Sequence, residues 1–185
     1  MMIKGNDPYR GPSFTIGHRL RRQAWNLVQA LLFRSSPRPC HAWRAWLLRL
    51  FGARLGQGCH VYSGVKVWAP WNLKLGNFVG VADGVTLYCM DRIEIGDYAV
   101  ISQGSHLCGG THDYNSANFQ LVAKPIVIGA HAWICAEVFI HPGVVVLVGA
   151  VVGARAVVTK SLPEPWAVYG GHPCHQVGVR TQHVR

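Results

Sequence analysis

The sequence repeats an aliphatic residue at every sixth position, and this repeat constrains the fold more than any other feature. The clearest run is Ile128, Ile134, Ile140, Val146, Val152 and Val158. Four residues after each of the first five stands an alanine or a valine. A period of six suits neither a helix of 3.6 residues per turn nor a two-sided strand. It predicts short strands joined by turns, three of which complete a triangular coil of about 18 residues.

The same phase continues upstream with insertions. Leu55, Leu75, Ile95 and Ile128 hold equivalent positions and are 20, 20 and 33 residues apart. The first three coils therefore carry 2, 2 and 15 extra residues over the basic repeat. Stacked parallel coils cover one another's cores.

The repeat divides the chain into three parts. We predict an N-terminal segment over 1–54, a β-helical body over 55–163 with an inserted loop at 109–125, and a tail over 164–185. The apolar run 144–154 keeps the phase of the repeat, and we interpret it as buried coil. At 11 residues it is also shorter than the ~18 that indicate a membrane-spanning helix.

Positive charge is concentrated in residues 1–54, which carry +9 of the net +10. Two stretches there have helical spacing of apolar residues. The first contains Leu20, Ala24, Leu27, Val28, Leu31 and Leu32 on one face, and the second contains Trp43, Trp46, Leu47, Leu50 and Phe51. We predict a helical cap, because the end of a solenoid exposes apolar surface. A second interpretation is peripheral contact of residues 19–54 with an anionic membrane.

Two further observations bear on partners and compartment. The chain lacks a recognised nucleic-acid motif, so we expect no nucleic-acid partner despite the basic charge. Its start has no apolar core of a signal peptide, and its six scattered cysteines form no CxxC pair. We therefore predict a cytoplasmic protein with free thiols and no metal site.

Several segments together resemble the hexapeptide-repeat acetyltransferases, and within them the colanic acid biosynthesis acetyltransferases. They are Pro37-Arg-Pro39, Trp43-Arg-Ala-Trp46, Trp68-Ala-Pro-Trp71-Asn72-Leu73, Ile101-Ser102-Gln103, Leu107-Cys108, Thr111-His112-Asp113-Tyr114, and Val152 to Lys160. The resemblance implies an all-β fold, a left-handed parallel β-helix with an N-terminal helical segment. It also implies a homotrimer with active sites between subunits.

The resemblance implies O-acetyl transfer from acetyl-CoA to a sugar hydroxyl in extracellular polysaccharide or related glycan biosynthesis. The acceptor in such pathways is often lipid-linked at the inner face of the cell membrane. His112, the single histidine of the 109–125 loop, is expected to be the general base, since imidazole titrates near neutrality. Asp113, Tyr114 and Asn115 are expected to orient it or to bind the acceptor, and Asp83 to reach a site between subunits.

The resemblance also assigns a cofactor groove along the later coils. By motif matching its residues are Trp133, Ala136, Ala154, Thr159 and Lys160, where small side chains admit the pantetheine arm. Lys160 is a candidate partner for a CoA phosphate. The arginines expected just after the Gly171-His172-Pro173 turn are missing, which leaves His175 or Arg180 as substitutes.

Two alternative functions remain open from the sequence. One is acetyl transfer to a small acceptor such as serine, a free sugar or an antibiotic. The other is a zinc enzyme similar to the gamma-class carbonic anhydrases, with His106, His112 and His131 as ligands. The intervals of 6 and 19 residues depart from that family's pattern.

Overall fold

The protein folds as a left-handed parallel β-helix closed at one end by two helices. The computed structural model describes residues 11–181. Two parts of the predicted segments lie outside the described residues. They are the first ten residues of the cap, where the sequence was searched for a signal peptide, and the last four residues of the tail. The predicted fold class is confirmed.

Three sheets form the sides of the solenoid. Sheet I contains β1 Arg54–Leu55, β4 Leu73–Leu75, β7 Ile93–Ile95, β12 Ile126–Ile128 and β15 Val145–Val146. Sheet II contains β2 His60–Val61, β5 Gly80–Val81, β8 Val100–Ile101, β13 Trp133–Ile134, β16 Val151–Val152, β18 Ala167–Gly170 and β19 His175–Val179. Sheet III contains β3 Lys66–Val67, β6 Thr86–Tyr88, β9 His106–Cys108, β14 Phe139–Ile140 and β17 Val157–Val158. All pairs in these sheets are parallel except β18–β19.

Each coil runs through the three sheets in turn, and the next coil stacks on it. Leu55 pairs with Leu75, Leu75 with Ile95, Ile95 with Ile128, and Ile128 with Val146. This register is the one that the intervals of 20, 20, 33 and 18 residues require. Apart from the half-buried Leu55, these aliphatic residues are at most 2% exposed. Full burial of such a side chain contributes roughly 1.5–3 kcal/mol, so the column is a major source of stability.

The two-residue insertions enlarge the corner between sheets III and I in the first two coils. Trp71 and Asp91 break the small-residue pattern there, and Ala69 and Cys89 are buried in their place. The Cys89 thiol donates to the Ala69 carbonyl at 3.1 Å, and its burial raises its pKa to about 11. A one-turn 3₁₀ helix, Pro70–Asn72, follows Ala69. All six cysteines are free.

Two helices lie over the end of the first coil. Helix α1 spans Ile16–Val28 and continues as a π-helical turn, Gln29–Phe33. Helix α2 spans His41–Leu50. Thr15 caps α1 by accepting from the His18 N–H at 3.3 Å. No helix in the described part of the chain is both long and apolar enough to cross a bilayer.

The face that α1 packs on the solenoid is not the apolar face of its sequence pattern. Trp25 is fully buried and donates from Nε1 to the Val67 carbonyl at 2.7 Å. The Arg22 guanidinium lies 4.1 Å from the Trp68 ring centroid, and Arg21 lies similarly over Trp71. Leucines of the apolar face, Leu20, Leu27 and Leu31, are 66%, 61% and 60% exposed. The cap is therefore held by tryptophan and arginine contacts, and its leucine stripe is turned outward.

A buried arginine joins the cap to the first coil. Arg44 of α2 is fully buried and donates from Nε to the Val61 carbonyl at 2.6 Å. Its two terminal nitrogens reach the Pro37 carbonyl at 2.8 Å and the Arg38 carbonyl at 2.6 Å. Burial lowers the pKa of this guanidinium, and no carboxylate among residues 11–181 forms an ion pair with it. Hydrogen bonds to carbonyl oxygens thus offset the free-energy cost of burying the guanidinium charge.

We predict that Arg44→Met lowers the free energy of unfolding by about 3 kcal/mol, because it removes the charged hydrogen bonds that a fully buried side chain donates to the Val61, Pro37 and Arg38 carbonyls. Urea titration monitored by circular dichroism measures the change. Arg34→Met, at an exposed position just beyond the π-helical turn, is the matched control and should change stability by less than about 0.5 kcal/mol. Equal stability of the two variants would contradict this account of the cap.

Candidate active site

The 109–125 insertion forms a β-hairpin that projects from the corner between sheets III and I. Strand β10, Gly110–His112, pairs antiparallel with β11, Leu121–Ala123. The predicted inserted loop thus contains a regular antiparallel strand pair. At the base of the hairpin a Cβ on Gly109 would lie 2.7 Å from the Tyr88 carbonyl oxygen. Only glycine allows this close approach, so Gly109 permits the chain to leave the coil.

His112 lies at the end of β10, where the hairpin fixes its ring from two sides. The imidazole stacks on Phe119 with a centroid distance of 4.4 Å and an interplanar angle of 12°. Its Nδ1 lies 2.8 Å from the Phe119 carbonyl oxygen. A carbonyl oxygen only accepts hydrogen bonds, so in the neutral imidazole Nδ1 carries the hydrogen and Nε2 keeps its lone pair. Nε2 is therefore the basic atom of this side chain.

The hairpin turn places the Phe119 carbonyl. Phe119 has a positive φ of 47°, which a bulky residue seldom adopts. Ser116 holds the turn, since its hydroxyl accepts from the Gln120 N–H at 2.8 Å and donates to the Asp113 carbonyl at 2.8 Å. The Phe119 N–H also donates to the Ser116 carbonyl at 3.0 Å. The sequence contains no motif that signals this contact, because it is made by a main-chain atom.

The three residues after His112 lie beside it, but none of them is hydrogen-bonded to its ring. The Asp113 carboxylate accepts from the Asn115 N–H at 3.0 Å and so stabilises the turn. Tyr114 is 80% exposed. With His112, these residues line an open cavity of about 410 Å³ that Lys124 also borders. The structure thus brings together four predicted site residues and adds Phe119 and Lys124, which the sequence did not indicate.

Asp83 lies elsewhere in the chain. It stands at the corner between sheets II and III, where its carboxylate accepts from the Gly64 N–H at 2.8 Å. It borders a second cavity of about 400 Å³ with Arg38, His60, Tyr62 and Gln103. Within one chain, Asp83 and His112 therefore face different spaces.

The five predicted cofactor residues fall into two groups on opposite sides of sheet III. Trp133 is 47% exposed on the outer face of sheet II, and its Nε1 donates to the Ser102 hydroxyl at 2.9 Å. Ala136 and Ala154 follow at the corner between sheets II and III, where the Arg155 N–H donates to the Ala136 carbonyl at 2.9 Å. Exposed Thr159 and Lys160 follow β17 at the corner from which the His112 hairpin projects, two coils further along. At the usual strand spacing, two coils correspond to roughly 10 Å.

Arg180 is already engaged in the fold. Its guanidinium donates to the carbonyls of His131 and Gly149, at 2.8 and 3.1 Å, and lies 5.5 Å from the Trp166 ring. These contacts are at the corner between sheets I and II, away from Lys160. Arg180 therefore lies at a different corner of the solenoid from Lys160. His175 is exposed, and its Nδ1 lies 3.2 Å from the Pro173 carbonyl oxygen.

The three histidines of the zinc alternative do not form a cluster. His106 packs between Tyr88 and Phe139 on the outer face of sheet III, and burial lowers its pKa. His131 stacks on Tyr98 at a different corner, with centroids 5.1 Å apart. Among residues 11–181 no three His, Cys, Asp or Glu side chains are placed to hold one metal ion.

Comparison with known proteins identifies a close relative. The chain is 47% identical over 150 residues to the protein named "Putative colanic acid biosynthesis acetyltransferase WcaF" of Escherichia coli K12. The match covers 81% of this chain and 82% of that protein. No protein-family model matches the chain.

Solved structures share the fold at lower sequence identity. A hexapeptide-repeat acetyltransferase of Vibrio cholerae, crystallised with acetyl-CoA, superimposes with a TM-score of 0.82 at 20% identity and covers 96% of this chain and all of its own. A galactoside acetyltransferase in complex with coenzyme A gives a TM-score of 0.76 at 23% identity, with 92% of this chain and 86% of that chain covered. Their likeness to this chain lies in the fold.

Proposed function

The chain belongs to the hexapeptide-repeat acetyltransferases, next to the colanic acid biosynthesis enzymes, and we propose that it transfers an acetyl group from acetyl-CoA to a sugar hydroxyl during polysaccharide or related glycan synthesis. The observation that carries this proposal is the 2.8 Å contact between His112 Nδ1 and the Phe119 carbonyl. It leaves Nε2 as the basic atom of a side chain that lines an open cavity of about 410 Å³.

The proposed reaction is a direct transfer. His112 Nε2 takes the proton of the acceptor hydroxyl as its oxygen attacks the thioester carbonyl carbon. The tetrahedral intermediate collapses by breaking the C–S bond, and the proton on Nε2 passes to the leaving sulfur. The Phe119 carbonyl supports the imidazolium that forms between these steps, because it accepts from Nδ1–H throughout. In this direct transfer no side chain of the protein becomes acetylated.

The geometry also supports a role for Lys160 in holding the donor. Lys160 and Thr159 lie on the same corner as the hairpin, so a thioester at His112 can extend its chain along this corner toward the Lys160 ammonium. An ammonium group is a suitable partner for a phosphate. We propose that the phosphates of CoA lie at this end of the solenoid.

The separation of the cofactor residues favours a homotrimer. Trp133, Ala136 and Ala154 cannot line the same groove as Thr159 and Lys160 within one chain, because sheet III lies between them. Side-by-side packing of two solenoids can bring the corner between sheets III and I of one subunit against the corner between sheets II and III of its neighbour. Cyclic symmetry repeats that heterologous contact until the ring closes. Asp83 would reach His112 of a neighbouring subunit in the same way.

Acetyl-CoA as donor favours a cytoplasmic enzyme, and we propose that it acts there. The acceptor would be a glycan intermediate, including one carried on a lipid at the inner face of the membrane. Thiol release from acetyl-CoA, measured against nucleotide sugars, lipid-linked glycans and small acceptors such as serine or chloramphenicol, tests the acceptor class. Release that no glycan stimulates would contradict the proposal.

We predict that His112→Gln lowers kcat by about 10²–10⁴ and changes KM for acetyl-CoA little, because the substitution removes a general base without changing the groove. The measurement is steady-state thiol release with the acceptor found above. His131→Gln, at a distant corner, is the control and should retain wild-type turnover. Full activity in His112→Gln would exclude His112 as the base.

A groove between subunits predicts complementation. Ala154→Arg and Lys160→Glu each block one side of the groove, so each variant alone should be inactive. Mixed oligomers made by co-expression contain some grooves with both sides intact, and random mixing should restore about a quarter of wild-type activity. No recovery in mixed oligomers, or a monomeric wild-type protein in sedimentation equilibrium, would contradict the trimeric arrangement.

A further inference from the structure

Many large apolar side chains are exposed on the outer side of the helical cap. We call this surface the outer cap face. It comprises Ile16, Leu20, Leu27, Leu31 and Leu32 from α1 and its π-helical turn, with Trp43, Trp46 and Leu50 from α2. Each of these side chains is between 41% and 74% exposed. An exposed apolar patch of this kind on a protein surface usually marks a binding site.

The two helices present these side chains together. Trp43 donates from Nε1 to the Leu32 carbonyl at 3.1 Å, which joins the start of α2 to the end of the π-helical turn. At the other end of α2, Arg21 donates to the Phe51 carbonyl at 3.1 Å. The helices therefore lie antiparallel, side by side. Trp43 and Trp46 stack with centroids 5.1 Å apart.

Capping the solenoid does not require this surface. The inward side of the helices is formed by Trp25, Phe33, Leu47 and Leu48, which are all at most 2% exposed. These four residues belong to the same hydrophobic cluster as the core of the β-helix. Capping the core therefore does not explain why leucines and tryptophans are placed on the opposite, exposed side.

The side-chain charge that the helical cap itself carries is of one sign. Residues 11–82 contain no aspartate or glutamate, and residues 11–54 contain eight arginines. Six of these are exposed: Arg19, Arg21, Arg34, Arg38, Arg49 and Arg54. A second copy of the same face would place like charges together. A nucleic acid would form ion pairs with the arginines but would leave the leucines exposed to water. A bilayer that contains anionic phospholipids can pair with the arginines and also bury the leucines.

We propose that the outer cap face binds the interface of an anionic phospholipid bilayer. The leucines enter the boundary between headgroups and acyl chains, the stacked tryptophans lie at the depth that such rings prefer, and the arginines contact lipid phosphates. The helices lie in the plane of the membrane. This inference depends on the cap alone and does not require the proposed acetyl transfer. In a cyclic trimer whose axis follows the solenoids, three such faces point the same way and bind together.

Vesicle co-sedimentation of the full chain tests the proposal. The probes are phosphatidylcholine vesicles and vesicles with about 30% phosphatidylglycerol, at low and high salt. We expect binding to the anionic vesicles, at least tenfold weaker binding to the neutral ones, and weakening by salt. The double variant Leu27→Glu/Leu31→Glu should lose binding at least tenfold, because it places two carboxylates in the interface.

The matched control is Val177→Glu/Val179→Glu on β19, where both valines are exposed on the opposite part of the molecule, at 60% and 78%. It adds the same charge and should bind anionic vesicles as wild type does. Circular dichroism verifies that both variants are folded. Equal binding by the two variants would overturn the proposal. So would a wild-type protein that ignores vesicles while Leu27→Glu/Leu31→Glu changes its oligomeric state, since the face would then be a protein interface.

Discussion

The parallel register between successive coils is the constraint on which the rest of the structure depends. Each inward aliphatic residue stacks on the one below it, from Leu55 through Leu75 and Ile95 to Ile128 and Val146. A shift of one residue would turn these side chains to solvent and bring polar ones inside. The solenoid therefore holds its outward residues in fixed columns. Extra residues can be accommodated only at the corners, where they leave the strands undisturbed.

The proposed site residues His112 and Lys160 lie at one of those corners. The longest insertion leaves at Gly109 and returns at Lys124, whose N–H donates to the Gly109 carbonyl at 3.1 Å. Between these points the hairpin is free of the six-residue period and can hold an imidazole at a fixed angle. Lys160 lies on the same corner of the solenoid, two coils further along. A rigid scaffold and one short hairpin thus suffice to position the proposed base and the proposed phosphate-binding cation.

The parts of the molecule that follow from local pattern could be predicted from the sequence. The sheet register and the buried columns follow from the period of six. The prediction of His112 as the base depends in addition on the family resemblance, which gives a role to the one histidine of the long insertion. The Phe119 carbonyl could not be found in this way, because it depends on hairpin pairing and on a positive φ at Phe119. The orientation of α1 was also missed. Helical periodicity identifies Leu20 and Leu27 as a face, but cation–π contacts of Arg21 and Arg22 decide which face packs.

The hairpin contacts of His112 require hydrogen on Nδ1 and leave a free lone pair on Nε2 in the neutral imidazole. A long-range ¹H–¹⁵N correlation spectrum of the full protein above neutral pH measures this directly, with the His112 signals assigned by their absence in His112→Gln. We expect the Nδ1–H tautomer to be the dominant neutral form. A neutral His112 with its hydrogen on Nε2 would contradict it, because no lone pair would then face the acceptor.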